Sequence, residues 1–473
     1  MTDGFELLHP VVQHHIVNSL GWRELRPLQR EAIAPILAGE HVLALAPTAG
    51  GKTEAAVFPL LTQILAEPRP GLSTLYLCPL RALLNNLHTR LEQYAGYCGL
   101  RVGLWHGDTS TAARARIKED PPEILLTTPE SLEAMLLSVR TDHGRLFRNL
   151  CSVVIDEVHA FAGDDRGWHL LGVLERLGDV AGRELQRIGL SATVGDPDGL
   201  LRWLVGSSQG PRRVVAPEVA DATAPPDLSV DHVGTLANAA IVISRLHHGE
   251  KRLVFCDSRA RVETLAAELR KQGVNTFVSH ASLSVDERRR AEQAFAEGRD
   301  CVIVATSTLE LGIDVGDLDR VIQIDSPATV ASFLQRLGRT GRRPGTSRNM
   351  LFLTTGDGLP LLAATGLLHL WSTGFVEPVT APPLPLHLLA HQLLAYAIQE
   401  GRIGRHLWAD VLGRLPVYAE AIESGDAAAI VDHLVERGML VDDEGMLSVG
   451  PEGERSYGFR HFMELTSVFT APQ

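Results

Sequence analysis

The chain has little of what staples a fold or anchors it in a membrane. Its five cysteines, Cys78, Cys98, Cys151, Cys256 and Cys301, are odd in number and scattered, with no C-x-x-C pair. That argues against a disulfide framework, a zinc site or an iron–sulfur cluster. Four of them lie in or beside apolar runs, where a reduced thiol is a small core residue, and a reducing cytoplasm is the expected home. No uncharged apolar stretch of about 18 residues occurs, so no membrane span is expected. The start, Met1-Thr2-Asp3-Gly4-Phe5-Glu6, lacks the basic-then-apolar order of a secretory signal. Positive charge is not in excess either, since the net charge is −13. Alone, this speaks against a polyanionic partner, which needs concentrated Lys and Arg. A groove can still be basic on an acidic protein, so the motifs must decide.

At 473 residues the chain is too long for one core, and two or three domains are expected. Apolar runs at 41–46, 74–78, 124–127, 152–155 and 187–190 alternate with amphipathic stretches such as 82–97 and 167–180. This alternation predicts βαβ units and a parallel sheet. It breaks at 216–227, a Pro/Ala/Asp-rich stretch that suits a linker. A second series follows at 253–256, 276–279, 301–305, 320–324 and 350–353, with no close sequence repeat of the first. Pro382, Pro383 and Pro385 mark another boundary. Beyond them, a helix over 387–399, a helix over 427–437 and a small hairpin outline a winged helix. The expected division is an α/β domain over 1–215, a linker over 216–230, a second α/β domain over 231–375, a winged helix over 376–452 and a further segment over 453–473.

Two elements carry chemistry. Ala46-Pro47-Thr48-Ala49-Gly50-Gly51-Lys52-Thr53 follows an apolar strand and opens a helical stretch. Glycines there let backbone N–H groups approach phosphates closely. Lys52 would reach the β- and γ-phosphates and Thr53 would ligate Mg²⁺. The first position is Ala46, where the general pattern has Gly. The second element is Val153-Val154-Ile155-Asp156-Glu157-Val158-His159, a strand ending in two acids. Asp156 would hold the Mg²⁺ shell, and Glu157 would orient and activate a water.

With these in place, the sequence resembles the superfamily-two DExH helicases through both α/β domains. Gln29, in Arg26-Pro27-Leu28-Gln29, looks like the glutamine that reads adenine. Ser191-Ala192-Thr193 looks like motif III, which couples hydrolysis to domain movement. Thr306 through Asp314 looks like motif V, and Gln335-Arg336-Leu337-Gly338-Arg339-Thr340-Gly341-Arg342 like motif VI. A finer resemblance, to the long helicase-related (Lhr) family, rests on 156–167, on Gly21-Trp22-Arg23-Glu24-Leu25 and on Trp105-His106-Gly107-Asp108-Thr109. It implies two RecA-like domains, a winged helix and a further β-rich domain, whose start Tyr457–Leu465 resembles. It also implies ATP-dependent 3′-to-5′ translocation on single-stranded DNA, unwinding of duplexes including RNA:DNA hybrids, and an association with DNA repair. The winged helix could bind duplex, although in motors of this kind it more often braces the second domain.

The resemblance makes Arg339 and Arg342 arginine fingers that reach the γ-phosphate across the cleft, which suits the charge spread in the transition state. Arg336 and Arg343 better suit a basic surface patch. Gln335 is expected at nucleotide or water. Asp314 is expected at the ribose or a domain interface, with a helix or turn cap as the alternative. Strand contacts are expected from Pro79 and Arg81 (motif Ia), Thr128 (motif Ib), Arg259, His280 and Thr306. All sit where strands hand over to helices, and the alternative for each Ser or Thr is an ordinary N-cap. Phosphate contacts predict little sequence preference. The partner expected is single-stranded nucleic acid, DNA more than RNA, with ATP and Mg²⁺ as cofactors. An RNA helicase or remodeller, and a non-hydrolysing nucleic-acid scaffold, are the alternatives.

Overall fold

The structure is a computed structural model that describes residues 4–47, 50–217, 225–280, 282–283, 285–310, 318–341 and 346–457. Thr48, Asp314, Arg342, Arg343 and the segment 458–473 lie outside the described residues.

Among the described residues, sixteen strands form three sheets. The first holds β1 (His41–Leu45), β2 (Thr74–Leu77), β3 (Val102–Trp105), β4 (Ile124–Thr127), β5 (Ser152–Ile155), β6 (Gln186–Ser191) and β7 (Arg212–Val215), in the order β3-β4-β2-β5-β6-β1-β7. The second holds β8 (Asp227–Gly234), β9 (Lys251–Phe255), β10 (Thr276–Ser279), β11 (Cys301–Ala305), β12 (Arg320–Ile324) and β13 (Asn349–Thr355), in the order β10-β11-β9-β12-β13-β8. Every pairing in these two sheets is parallel. Parallel strands need crossovers, and the amphipathic stretches supply them as helices that cover the sheet faces. The chain thus has the expected two RecA-like parallel-sheet domains.

Register aligns the chemistry. Leu45 of β1 lies beside Ser191 of β6, and Ile155 of β5 beside Gly189 of β6. The loop after β1, the acids after β5 and the end of β6 therefore emerge at one sheet edge, where open α/β sheets bind ligands.

The third sheet is antiparallel: β14 (Ile403–Gly404), β16 (Met446–Val449) and β15 (Leu440–Asp443). It packs with helices Leu386–Glu400 and Asp426–Glu436, so the expected helix-then-hairpin is present. This C-terminal module packs mainly on the first domain and not, as expected, on the second, which it meets through Glu377 at the N–H groups of Val330 and Ala331. Its Leu389, Leu393, Trp408, Leu412, Leu440 and Leu447 join one apolar core with Leu170, Leu174 and Leu177 of the first-domain helix Asp165–Ala181. Helices Asp165–Ala181 and Leu386–Glu400 approach so closely that a Cβ on Gly172 would lie 2.9 Å from Gln392 Oε1. The second domain keeps its own cores on the two faces of its sheet.

Candidate nucleotide and nucleic-acid site

The phosphate loop is shaped by its glycines. Gly51 has φ 78°, and a Cβ on Gly50 would come within 2.5 Å of the Ala46 Cβ. A side chain at either position would strain or clash. Lys52 Nζ donates to the Ala46 carbonyl at 3.2 Å, so the departure from glycine at position 46 costs no contact that the loop makes through its backbone. Gln29 is buried. Its Oε1 accepts from the Arg26 N–H at 3.0 Å, and its Nε2 donates to the Gly51 carbonyl at 3.3 Å. It thereby ties the start of helix Pro27–Leu37 to the phosphate loop.

The acids face this loop. Asp156 Oδ1 accepts from the Glu157 N–H at 2.9 Å, and Oδ2 from the Tyr76 hydroxyl at 3.0 Å. The Thr53 hydroxyl accepts from Arg90 Nη2 at 2.7 Å. Burial and the adjacent Glu157 charge push the Asp156 carboxyl up, against the pull of Lys52 and Tyr76. Burial would raise Glu157 too, but Lys52, His159 and Arg339 outweigh it and hold it below the ordinary value. Glu157 therefore keeps its charge at neutral pH. It also has φ 49°, a backbone conformation uncommon outside glycine and often found at functional positions.

His159 is the hub that the sequence reading left out. Burial lowers its pKa below 6.5, so the ring is neutral at pH 7. Gln335 Nε2, from helix Val330–Leu337 of the second domain, meets His159 Nε2 at 2.9 Å. With Gln335 donating, the ring proton sits on Nδ1, which faces Ser191 Oγ at 2.9 Å. His159 Nε2 also lies 3.6 Å from Glu157 Oε2. Motifs II, III and VI thus meet at one imidazole. Thr193 stands apart, exposed. The signal for His159 was in the sequence, as the fourth residue of Asp156-Glu157-Val158-His159.

The second-domain arginines divide. Arg339 is buried, donates to the Glu310 carbonyl and acts electrostatically on Glu157 across the cleft. Arg336 does not form the basic surface patch expected of it. It is buried, pairs with Glu310, donates to Gln323 Oε1 at 2.5 Å and lies over the Phe255 ring at 4.8 Å. These acceptors and the aromatic face make it a core strut.

The expected strand contacts gather at the same sheet edges. Pro79 and Thr128 follow β2 and β4, and Arg259, His280 and Thr306 follow β9, β10 and β11, which are neighbours in the second sheet. The nucleotide residues follow β1, β5 and β6, on the other half of the first sheet. Arg81 is half exposed and pairs with Asp108 at 3.0 Å. Arg259 is exposed at the start of helix Arg259–Lys271. Thr128 caps helix Pro129–Leu136 by accepting from the Ser131 N–H at 3.3 Å, the alternative its sequence left open. His280 is buried and meets Glu263 at 2.9 Å, so it is not presented as a free phosphate donor. Thr306 is half-buried. In the extended motif II, Arg166 bonds Glu130 at 2.6 Å and the Pro79 carbonyl at 3.2 Å, joining the two first-domain grip segments. Asp164 caps the following helix by accepting from the Arg166 N–H.

Thr53, next to Lys52, and Asp156, within reach of the Lys52 charge, offer two hard oxygens, which fits Mg²⁺ completed by phosphate and water. Among the described residues no cluster of three His, Cys, Asp or Glu could hold a metal without a substrate. No described helix is long and apolar enough to cross a membrane.

Comparison with known proteins agrees with this geometry. The family model described as DEAD/DEAH box helicase matches residues 26–199, and that described as helicase conserved C-terminal domain matches 235–344. The chain is 32% identical over 538 residues to the Lhr helicase/uracil glycosylase of Escherichia coli, covering 90% of this chain and 34% of that protein. It is 32% identical over 408 residues to the ATP-dependent helicase Lhr-Core protein 2 of Thermococcus barophilus, covering 79% of this chain and 47% of that one. The chain therefore spans less than half the length of these relatives. A solved structure of Mycobacterium smegmatis helicase Lhr bound to ssDNA and AMP-PNP superposes with a TM-score of 0.84 at 31% identity, covering 100% of this chain and 63% of that one. With both motor domains matched and the motifs facing one cleft, the chain belongs to the superfamily-two DEAD/DEAH-box helicases, as a relative of the Lhr core.

Proposed function

We propose that this chain is an ATP-hydrolysing motor that translocates 3′ to 5′ on single-stranded nucleic acid, DNA in preference to RNA. Unwinding of DNA or RNA:DNA duplexes, in the service of DNA repair, is the activity that goes with it. The observation that carries the reading is the His159–Gln335 contact, which ties the acid pair on one domain to motif VI on the other.

Lys52 and the N–H groups of the loop hold the β- and γ-phosphates, and Gln29 stands at the adenine side. Thr53 and Asp156 would hold Mg²⁺, which would neutralise phosphate charge when bound. Glu157, ionised, orients the attacking water and takes its proton. Arg339, with Arg342, stabilises the charge that develops on the γ-phosphoryl group. Ser191 steadies the His159 ring, and His159 hands the position of Glu157 to Gln335, so the acid pair and motif VI move together. Thr193 belongs to the same coupling, and Asp314 stands at the ribose or the domain interface. Closure is driven because nucleotide binds the closed pair of domains better than the open one. The strand lies over the other half of the sheet edges, against Pro79, Arg81, Thr128, Arg259, Thr306 and the His280 segment.

ATP turnover measured with and without single-stranded DNA or RNA tests this. Stimulation by DNA above RNA supports it, stimulation by RNA alone makes the chain an RNA remodeller, and no turnover with any polynucleotide leaves only a binding scaffold. Strand displacement on 3′- and 5′-tailed duplexes reads the polarity.

A further inference from the structure

Helix Arg81–Tyr97 touches three parts of the molecule. At its start Arg81 pairs with Asp108 and lies so close to Gly107 that a Cβ there would come within 2.6 Å of the guanidinium. Ala82 packs against the core of the second domain. Asn85 Oδ1 meets His106 Nε2 at 3.0 Å. Nine residues beyond Arg81, about 13 Å along a helix axis, Arg90 Nη2 donates to Thr53 Oγ1 at 2.7 Å. Arg90 Nε also lies 3.6 Å from Glu54 Oε1, a buried carboxylate that accepts from the Tyr94 hydroxyl at 3.0 Å. Arg90 belongs to none of the motifs.

We propose that Arg90 is a positioning residue that couples the strand-binding end of this helix to the metal side of the phosphate loop. Thr53 Oγ1 is the oxygen assigned above to Mg²⁺, so the inference rests on the motor reading. A guanidinium and a divalent cation repel each other and compete for the same lone pairs. The Arg90–Thr53 bond and metal ligation by Thr53 therefore oppose one another. Glu54, already 3.6 Å from Arg90 Nε, can take the whole guanidinium when Nη2 leaves Thr53. A strand gripped at Arg81, or the second domain pressing on Ala82, shifts the helix and moves Arg90 from Thr53 to Glu54. By linkage, whatever favours metal at Thr53 also favours the strand at Arg81.

The test is binding of a fluorescent, non-hydrolysable ATP analogue to the full chain. Titrations are run in Mg²⁺ and in EDTA, each with and without oligo-dT. The wild type should bind more tightly with the strand present, and only in Mg²⁺. Arg90→Ala should tighten strand-free binding in Mg²⁺ by about five-fold or more, leave binding in EDTA unchanged and abolish the strand effect. Arg90→Lys, which keeps the charge and a donor, should restore the strand effect. Arg90 is 46% exposed and the buried Glu54 keeps its bond from the Tyr94 hydroxyl, so both variants should fold, which their unfolding midpoints check. An alanine variant that keeps the full strand effect overturns the proposal, as does one that shifts the Mg²⁺ and EDTA titrations equally. Strand-independent binding by the wild type overturns it while leaving the motor reading intact. A wild type that binds no nucleotide at all overturns both.

Discussion

Where the first domain meets the C-terminal module, apolar side chains from both run into one core; where it meets the second domain, a few polar contacts span the cleft beside the apolar contact of Ala82. At the first joint Arg176 is fully buried. It pairs with Glu133 and donates to Gln392 Oε1 at 3.1 Å and Gln399 Oε1 at 3.0 Å, both on helix Leu386–Glu400. Trp168 adds a bond to the Pro382 carbonyl at 2.7 Å. At the second joint stand the Gln335–His159 contact and the segment around Glu377. The Glu377 carboxylate accepts from the N–H groups of Val330 and Ala331, capping the helix that bears Gln335, while its carbonyl accepts from Gly195, just past motif III. A close-packed core has discrete arrangements and resists sliding. A handful of exchangeable hydrogen bonds can break and reform in each cycle. For the proposed motor cycle the comparison implies that the module should move with the first domain and that the second domain should be the moving part.

The largest effect should come from stopping the cycle at the moving joint. Glu157→Gln should keep nucleotide binding and lose about 10²- to 10⁴-fold in turnover, read from ATPase rates beside equilibrium binding. Wild-type turnover would remove Glu157 from the water-activating role.

Next comes the fixed joint. Arg176→Met leaves Glu133 buried without its main partner and should cost about 3–5 kcal/mol of stability. Denaturant unfolding measures this, and hydrogen exchange should show helices Asp165–Ala181 and Leu386–Glu400 loosening together. Loosening of the module alone would break the comparison.

Gln335→Ala removes one hydrogen bond at the moving joint, worth about 0.5–1.5 kcal/mol. It should slow turnover several-fold without changing the unfolding midpoint, since it acts on closure and not on the fold.

The smallest effect is a pH slope. Burial would raise Glu133, but Arg176 and the neighbouring His169 and His391 hold it well below the usual carboxylate range. A depressed carboxyl contributes stability above its unfolded value of 4.5 and loses it as pH falls toward the folded value. Wild-type stability should therefore fall with acid below about pH 5. In Arg176→Met the slope should flatten or reverse, because protonation then relieves an unpaired buried charge. Parallel slopes in the two proteins would show that Glu133 does not depend on Arg176.

Central strands were legible because parallel strands covered on both faces read as unbroken apolar runs. The edge strands were not. Arg212–Val215 is half exposed, and Asp227–Gly234, which alternates polar and apolar residues, begins inside the stretch expected as linker. The helix Leu386–Glu400 was visible from its amphipathic period, yet that period did not say which domain it would cover. The buried Arg176 and Arg336 were hidden for a related reason: a guanidinium reads as surface until its acceptors are found.

The sequence by itself determined the phosphate loop, the acid pair and the order of the motifs. Each is a short strand-end segment whose residue types are dictated by local backbone needs and by phosphate and metal chemistry. Only the tertiary structure decided that Tyr76 braces Asp156 from 80 residues away, that Arg90 meets Thr53 from 37, and that Gln335 reaches His159 from 176. It alone decided, too, which neighbour the first domain grips. Such pairings depend on strand order and helix packing, which bring distant residues together without leaving any spacing in the chain to read.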